Sequence, residues 1–150
     1  VKAPKRIVRK VRPRRKRKSP LAAAKRTLWD YFAAYIKARD GDVCFTCDKH
    51  AEGVYLHAGH LFTQGQHKAV IYEPKNCHSQ CASCNRGHRG RTAVYTNRFI
   101  DLYGINEFRR LSRLAETTKV WTLPEVQELT ASLKRGGTDF EMLYAERYGL

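Results

Sequence analysis

Apolar side chains recur at helical spacing through Leu21, Ala24, Leu28, Phe32, Tyr35 and Ile36, and Ser19-Pro20 ahead of them has the order of an N-cap followed by a first helical residue. The pattern predicts a helix of about five turns ending near Gly41. Val54 and Tyr55 favour a strand over Gly53 to His57 that enters Gly59-His60, and Val70, Ile71 and Tyr72 favour a second strand before Pro74. The polar stretch from Thr63 to Lys68 reads as the loop between them. A short helix is expected from Cys81 or just after it to the glycines at 87 and 90. The next carries Val94, Tyr95, Phe99, Ile100, Leu102 and Tyr103 and is closed by Gly104, and another covers roughly Asn106 to Ala115. Two capping boxes, Thr122 to Glu125 and Thr138 to Glu141, predict the last two helices, with Gly136-Gly137 between them. The fold class expected is α+β and mostly helical: a small ββα metal module embedded among helices.

Cysteine placement gives that module its chemistry. Cys44-Phe45-Thr46-Cys47 and Cys81-Ala82-Ser83-Cys84 are two short knuckles separated by 33 residues, the spacing of a structural four-cysteine zinc site. Paired knuckles fit a metal in a reducing compartment better than a disulfide framework. Cys77, the fifth cysteine, reads as a small buried hydrophobe.

The charge is concentrated at one end. Of the 29 Lys and Arg residues, 11 fall in residues 1–18 with no acid among them, so the remainder carries 18 bases against 14 acids. The chain then divides into a basic tail, 1–18, expected to be disordered, and a domain, 19–150. Such a run repels itself until a polyanion neutralises it, and nucleic acid is the polyanion expected for Arg14, Arg15, Lys16, Arg17 and Lys18. With 150 residues and no apolar run of about 18, one modest core and no membrane partner are expected. No secretory signal pattern is visible at the amino terminus.

With zinc assigned to the cysteines, His60 and the asparagines are available for reaction. A neutral imidazole at the end of a strand can take a proton from water near physiological pH. Asn85, one residue after the second knuckle, can offer its amide oxygen to Mg²⁺ or Mn²⁺. Arg86, Arg89 and Arg91 follow at once, with planar forks suited to phosphate oxygens. Together these residues suit hydrolysis of a phosphodiester. His88, three residues after Asn85, is a further candidate ligand. His78 reads as a brace of the hairpin, His67 as solvated and Glu73 as a strand-edge charge.

The order of Tyr35 to Asp40, both knuckles, Ala58-Gly59-His60, the run from Asn76 to Asn85, Gly90 and Tyr95 resembles the HNH, or ββα-metal, endonucleases, and within them the lambda NinG/Rap recombination nuclease family. Weaker similarity continues through Trp121-Thr122 to about Lys134. The resemblance implies that His60 is the catalytic histidine, that Asn76 is the middle asparagine pinning the loop across the hairpin, that Asn85 ligates the catalytic ion, and that Cys44, Cys47, Cys81 and Cys84 hold structural zinc. It implies a phage-encoded protein of the bacterial cytoplasm that cuts branched DNA or Holliday junctions with a divalent metal, as a homodimer and beside other recombination proteins. Two other readings stand beside it: a duplex-cutting HNH nuclease of restriction, homing or packaging, and an inactive zinc-stabilised DNA-binding protein.

Three positions depart from the pattern. Many HNH enzymes carry an Asp directly before the catalytic histidine, and this chain has Gly59. NinG-like chains share that glycine but place an Asp three residues before the histidine, where His57 stands here. His57 is therefore the substitute ligand expected, and an imidazole in the site favours Mn²⁺, Ni²⁺ or Zn²⁺ over Mg²⁺. Arg91 occupies a position usually held by Asn.

Overall fold

Helix α1, Pro20–Asp40, sets the frame of the molecule in a computed structural model that describes residues 19–50 and 55–149. The basic tail at 1–18 lies outside the described residues. Ser19 caps α1 by accepting from the Ala22 N–H at 3.2 Å, and Gly41, at a φ of 67°, ends it in a conformation that costs a glycine little. Leu28, Phe32 and Ile36, one face of the helix, are fully buried, as their spacing predicts.

Strand β1, Leu56–His60, pairs antiparallel with β2, Cys77–Cys81, with Leu56 opposite Cys81 and His60 opposite Cys77. Here the expectation of a strand at Val70 to Tyr72 is corrected. Lys68–Val70 is a single 3-10 turn, and the partner of β1 is the polar segment after Pro74. Val70 packs into one core with Tyr95, Phe99, Leu111 and Leu114, whereas Tyr72 packs into another with Phe32, Trp121 and Tyr144. The carbonyls of residues 70 and 71 accept from the side chains of Asn76 and His60, and the Val70 N–H and carbonyl also bond within the turn to His67 and Glu73, so this stretch has no ladder to offer a strand.

A single wide turn, Ser83–Gly87, follows β2. Gly90 and Arg91, both at positive φ, then redirect the chain into α2, Thr92–Tyr103, which ends at Gly104. Helices α3, Ile105–Ala115, α4, Leu123–Lys134, and α5, Phe140–Tyr148, complete the chain. Glu125 accepts from the Thr122 N–H at 2.8 Å, as the first capping box predicts. The second box does not form. Asp139 precedes α5 and is held by Ser132 and Arg135, while Glu141 accepts from the Tyr35 hydroxyl at 2.8 Å and is drawn toward α1 instead of back to Thr138.

The result is an α+β molecule, mostly helical, in which a two-stranded sheet lies between α1 and α2. Among the described residues no helix is long and apolar enough to cross a membrane. Burial of the aromatic cluster that joins α1, α4 and α5 removes several large side chains from water, each contributing on the order of 1.5–3 kcal/mol. That cluster anchors the helix beneath the site.

Candidate active site

Two neighbouring structures make up the site: a thiol cage and a cleft. The Sγ atoms of Cys44, Cys47, Cys81 and Cys84 all lie within 4.8 Å of one another. A tetrahedron with Zn–S bonds of about 2.3 Å has edges of about 3.8 Å, and the Cys47 and Cys81 sulfurs are 3.8 Å apart. The quartet therefore fits zinc, and its cysteines are not joined as disulfides. The cage is braced from outside its ligands. The Thr46 hydroxyl lies 3.5 Å from Cys44 Sγ, the Cys84 N–H donates to Cys81 Sγ at 3.4 Å, and Arg91 reaches Cys84 Sγ at 4.0 Å. Donors of this kind offset the negative charge of a four-thiolate site. Arg98 of α2 donates to the Phe45 carbonyl at 2.9 Å and to Asp48, which fastens the first knuckle to the helix.

His60 closes β1. Its Nε2 lies 3.0 Å from the Ile71 carbonyl, which can only accept, so the ring proton sits on Nε2 and Nδ1 keeps its lone pair. The Gln64 amide approaches that Nδ1 at 3.5 Å. Trp29 of α1 stacks on the imidazole, with ring centroids 5.2 Å apart and planes 22° from parallel. Burial pulls the His60 pKa down to about 4, with the Ile71 carbonyl acting in the opposite direction, so the ring is neutral at physiological pH.

Asn76 is fully buried, and both ends of its amide are used. Nδ2 donates to the carbonyls of Val70 at 2.8 Å and Phe62 at 3.1 Å, and Oδ1 accepts from the Phe62 N–H at 2.8 Å. One side chain thus ties the exit of β1 to the turn that carries Ile71. Tyr95, also fully buried, donates to the Gly59 carbonyl at 3.1 Å from the other side.

Asn85 and His60 line the same cleft, of about 380 Å³, together with Gln64, Arg89, Gly90 and Thr92. Asn85 Nδ2 donates to His57 Nδ1 at 3.0 Å, which leaves the amide oxygen for another partner. His57 is thus brought against Asn85. His88 is exposed and lines neither this cleft nor the one next to it. Arg89 lines the His60 cleft, Arg86 lines its neighbour, and Arg91 turns toward the thiol cage. Among the described residues the four cysteines are the group of three or more Cys, His, Asp or Glu side chains placed to hold a metal, while Asn85 lines the His60 cleft and His57 the one next to it.

Gly59 has a local cause. A Cβ built on it would overlap the Gln80 carboxamide, whose Cδ and Cγ would lie at 2.9 and 3.0 Å. Gln80 is fully buried and held there, its Nε2 donating to Thr46 Oγ1 at 3.1 Å and to the Gly90 carbonyl at 2.9 Å. The volume an Asp would need before the histidine is filled from the opposite strand.

Several contributors carry no sequence signal. Trp29 is 31 residues from His60 and lies beside the core stripe of α1, and nothing local aims it at an imidazole. Arg39 and Asp40 belong to the motif, but their spacing suggests no role. Asp40 accepts from His78 Nδ1 at 2.9 Å and the Ser79 N–H at 2.8 Å, and Arg39 donates to the Pro74 and Cys77 carbonyls, so the end of α1 clamps β2. Burial works against the Asp40 carboxylate, yet His78 and Arg39 hold its pKa down to about 2. His78 braces the hairpin as expected, and Cys77 is fully buried. Two expectations are corrected. His67 is half-buried with Nδ1 3.1 Å from the Ala115 carbonyl, and Glu73 is buried behind the cleft, 3.5 Å from Arg110, because each sits in the turn folded over α3 and not on a strand.

A family model described as Bacteriophage Lambda NinG protein matches residues 2–140. No curated protein and no solved structure matches the chain.

Proposed function

Because the chain belongs to the NinG family of bacteriophage proteins, we propose that it is a metal-dependent DNA endonuclease of phage recombination that acts on branched DNA. The observation that carries the reading is the His60 tautomer: with Nε2–H committed to the Ile71 carbonyl, the Nδ1 lone pair belongs to the cleft that Asn85 also lines. His60 accepts a proton from water as the water oxygen attacks phosphorus. The bond from phosphorus to the 3′ oxygen breaks, that oxygen takes a proton from solvent, and the products carry 5′-phosphate and 3′-hydroxyl ends. Asn85 would hold the divalent ion, Mg²⁺ or Mn²⁺, through its amide oxygen, and His57 would join it on giving up its bond to the Asn85 amide; when bound, the ion would supply positive charge to the developing oxyanion. Asn76 positions His60 by fixing the turn that bears Ile71. Arg89 grips the phosphate, and Arg86 and the tail from Arg14 to Lys18 hold the flanking backbone. Two copies acting on symmetric strands would resolve a four-way junction.

A second reading has one observation in its favour. The carboxylate that usually precedes the histidine is replaced by Gly59, and Gln80 fills its space, as a protein that binds DNA without cutting it would tolerate. Incubating the zinc-loaded protein with a synthetic four-way junction and Mg²⁺, Mn²⁺ or Ni²⁺ separates the two. Cutting that His60→Ala abolishes without loss of zinc supports the nuclease. Binding without cutting in all three ions supports the adaptor.

A further inference from the structure

Asn85 also borders a second cleft, of about 290 Å³, whose walls differ in chemistry from those beside His60. Trp29 and Lys37 of α1, Tyr55, His57, Asn85 and Arg86 line it. Tyr55 is 72% exposed and meets His57 edge-on, with ring centroids 4.8 Å apart. An exposed aromatic ring is ordinary by itself. Here the ring shares a cleft with two cations and two amides, and among the described residues no carboxylate lines the space.

A flat, open ring beside paired positive charges suits a ligand that is planar at one end and anionic at the other. Ala58, Gln64 and Asn85 border both clefts, so a strand whose phosphate lies beside His60 continues into this one. The geometry points to a subsite for a single unpaired nucleotide of the DNA strand being cut, its base against Tyr55 and its phosphate between Lys37 and Arg86. A base inside a duplex has both faces covered by its neighbours and must leave the stack to lie on an aromatic side chain. The substrate class selected is therefore DNA with an unstacked nucleotide beside the cut, as at a branch point or flap. The inference rests on the nuclease reading for the origin of the strand, but its test does not require cleavage.

The experiment uses the zinc-loaded full chain and three labelled DNAs of matched sequence: a duplex, a flap and a four-way junction. A 2-aminopurine is placed at each nucleotide flanking the branch. In the absence of added divalent ion, binding is expected to quench the fluorescent base at one of these positions, and the flap and junction are expected to bind more tightly than the duplex. One base–aromatic stack corresponds to a factor of roughly 5 to 150 in affinity. Tyr55→Ala should remove the quench and bring the preference to within about twofold of unity, Tyr55→Phe should keep both, and paired Lys37→Ala and Arg86→Ala changes should weaken binding while leaving the quench at saturation. Zinc content and melting curves confirm that each variant is folded. Equal affinity for all three DNAs, or a quench that survives Tyr55→Ala, overturns the subsite. If cutting by the wild type accompanies that result, the nuclease reading survives its loss. Quench and preference without cutting in any ion would keep the subsite and reject the nuclease.

Discussion

Placing a methyl group on Gly59 tests the packing that sets this site apart from the HNH pattern. A Cβ at residue 59 overlaps the Gln80 carboxamide, so Gly59→Ala must expel that group from a buried position where it donates to Thr46 at 3.1 Å and to the Gly90 carbonyl at 2.9 Å. Each hydrogen bond contributes about 1 kcal/mol net, and crowding a packed interior typically costs about 1–3 kcal/mol, so a loss of about 3–5 kcal/mol is expected. For a chain of this size that is a fall in Tm of roughly 6–20 °C. Gln80→Ala alone should cost a similar amount through lost hydrogen bonds and an empty space. In the Gly59→Ala/Gln80→Ala double variant the added methyl enters vacated volume, so the total should fall short of the sum of the singles by about 2 kcal/mol. Urea unfolding of the zinc-loaded proteins measures all four corners of the cycle. If the two costs simply add, Gln80 is not what excludes a side chain at residue 59 and the explanation of the missing carboxylate is wrong. The same overlap bars Gly59→Asp from restoring a conventional ligand.

Five further outcomes follow, four from the geometry and one from the charge of the tail. His60, with its pKa lowered to about 4 chiefly by burial, is neutral above about pH 5, so kcat/KM for DNA cutting should rise with pH through about 4 and show no step near 6.5 from this group; a His60 ring that titrates near 6.5 when followed by NMR would reject the buried assignment. The same depression means that His60 contributes stability in full above the unfolded value of about 6.5 and loses it as pH falls toward 4, which denaturant titrations of wild type and His60→Gln should resolve. Asn76→Ala leaves the Phe62 carbonyl and N–H without partners and the Val70 carbonyl with the Glu73 N–H alone, and should cost about 3–5 kcal/mol and lower kcat more than DNA affinity; an unchanged kcat in folded protein would refute its positioning of His60. Cys47→Ser should release zinc, measured by a chromogenic chelator, and lower the melting temperature; full zinc content in the variant would rule out the four-thiol cage. If about five tail cations displace counterions, a fourfold rise in salt should weaken DNA binding roughly 500-fold, and deleting residues 1–18 should flatten that slope.

Local rules were sufficient wherever a segment's partners lie close in sequence. Ser19, Pro20 and Gly41 bound α1 through contacts within a turn, Thr122 and Glu125 do the same for α4, and the knuckle spacing marks each cysteine pair as half of one metal site. Where distant partners take over a group, those rules fail. Val70, Ile71 and Tyr72 have strand-forming side chains, yet Asn76 and His60 bind their carbonyls and two separate cores divide their side chains. The true strand, Cys77–Cys81, has no alternation because every residue in it is buried, the His78 ring, the Ser79 N–H and the Gln80 amide nitrogen being met by Asp40, Tyr103 and Thr46 from other parts of the chain. Thr138 loses its capping partner for the same reason, since Tyr35 binds Glu141. Residue identities at the site were legible, but the hydrogen bond that selects the His60 tautomer joins two segments through a carbonyl, and any residue type could have supplied it.

The turn that bears Ile71 is itself fastened by the far end of the chain. Trp121 donates to the Lys68 carbonyl at 2.8 Å, and Tyr144 donates to the Ala69 carbonyl at 3.0 Å. Trp121, just ahead of α4, and Tyr144 of α5 thereby reach the imidazole through consecutive peptide groups without touching it. Loss of either side chain would loosen the turn whose carbonyl dictates where the ring carries its hydrogen.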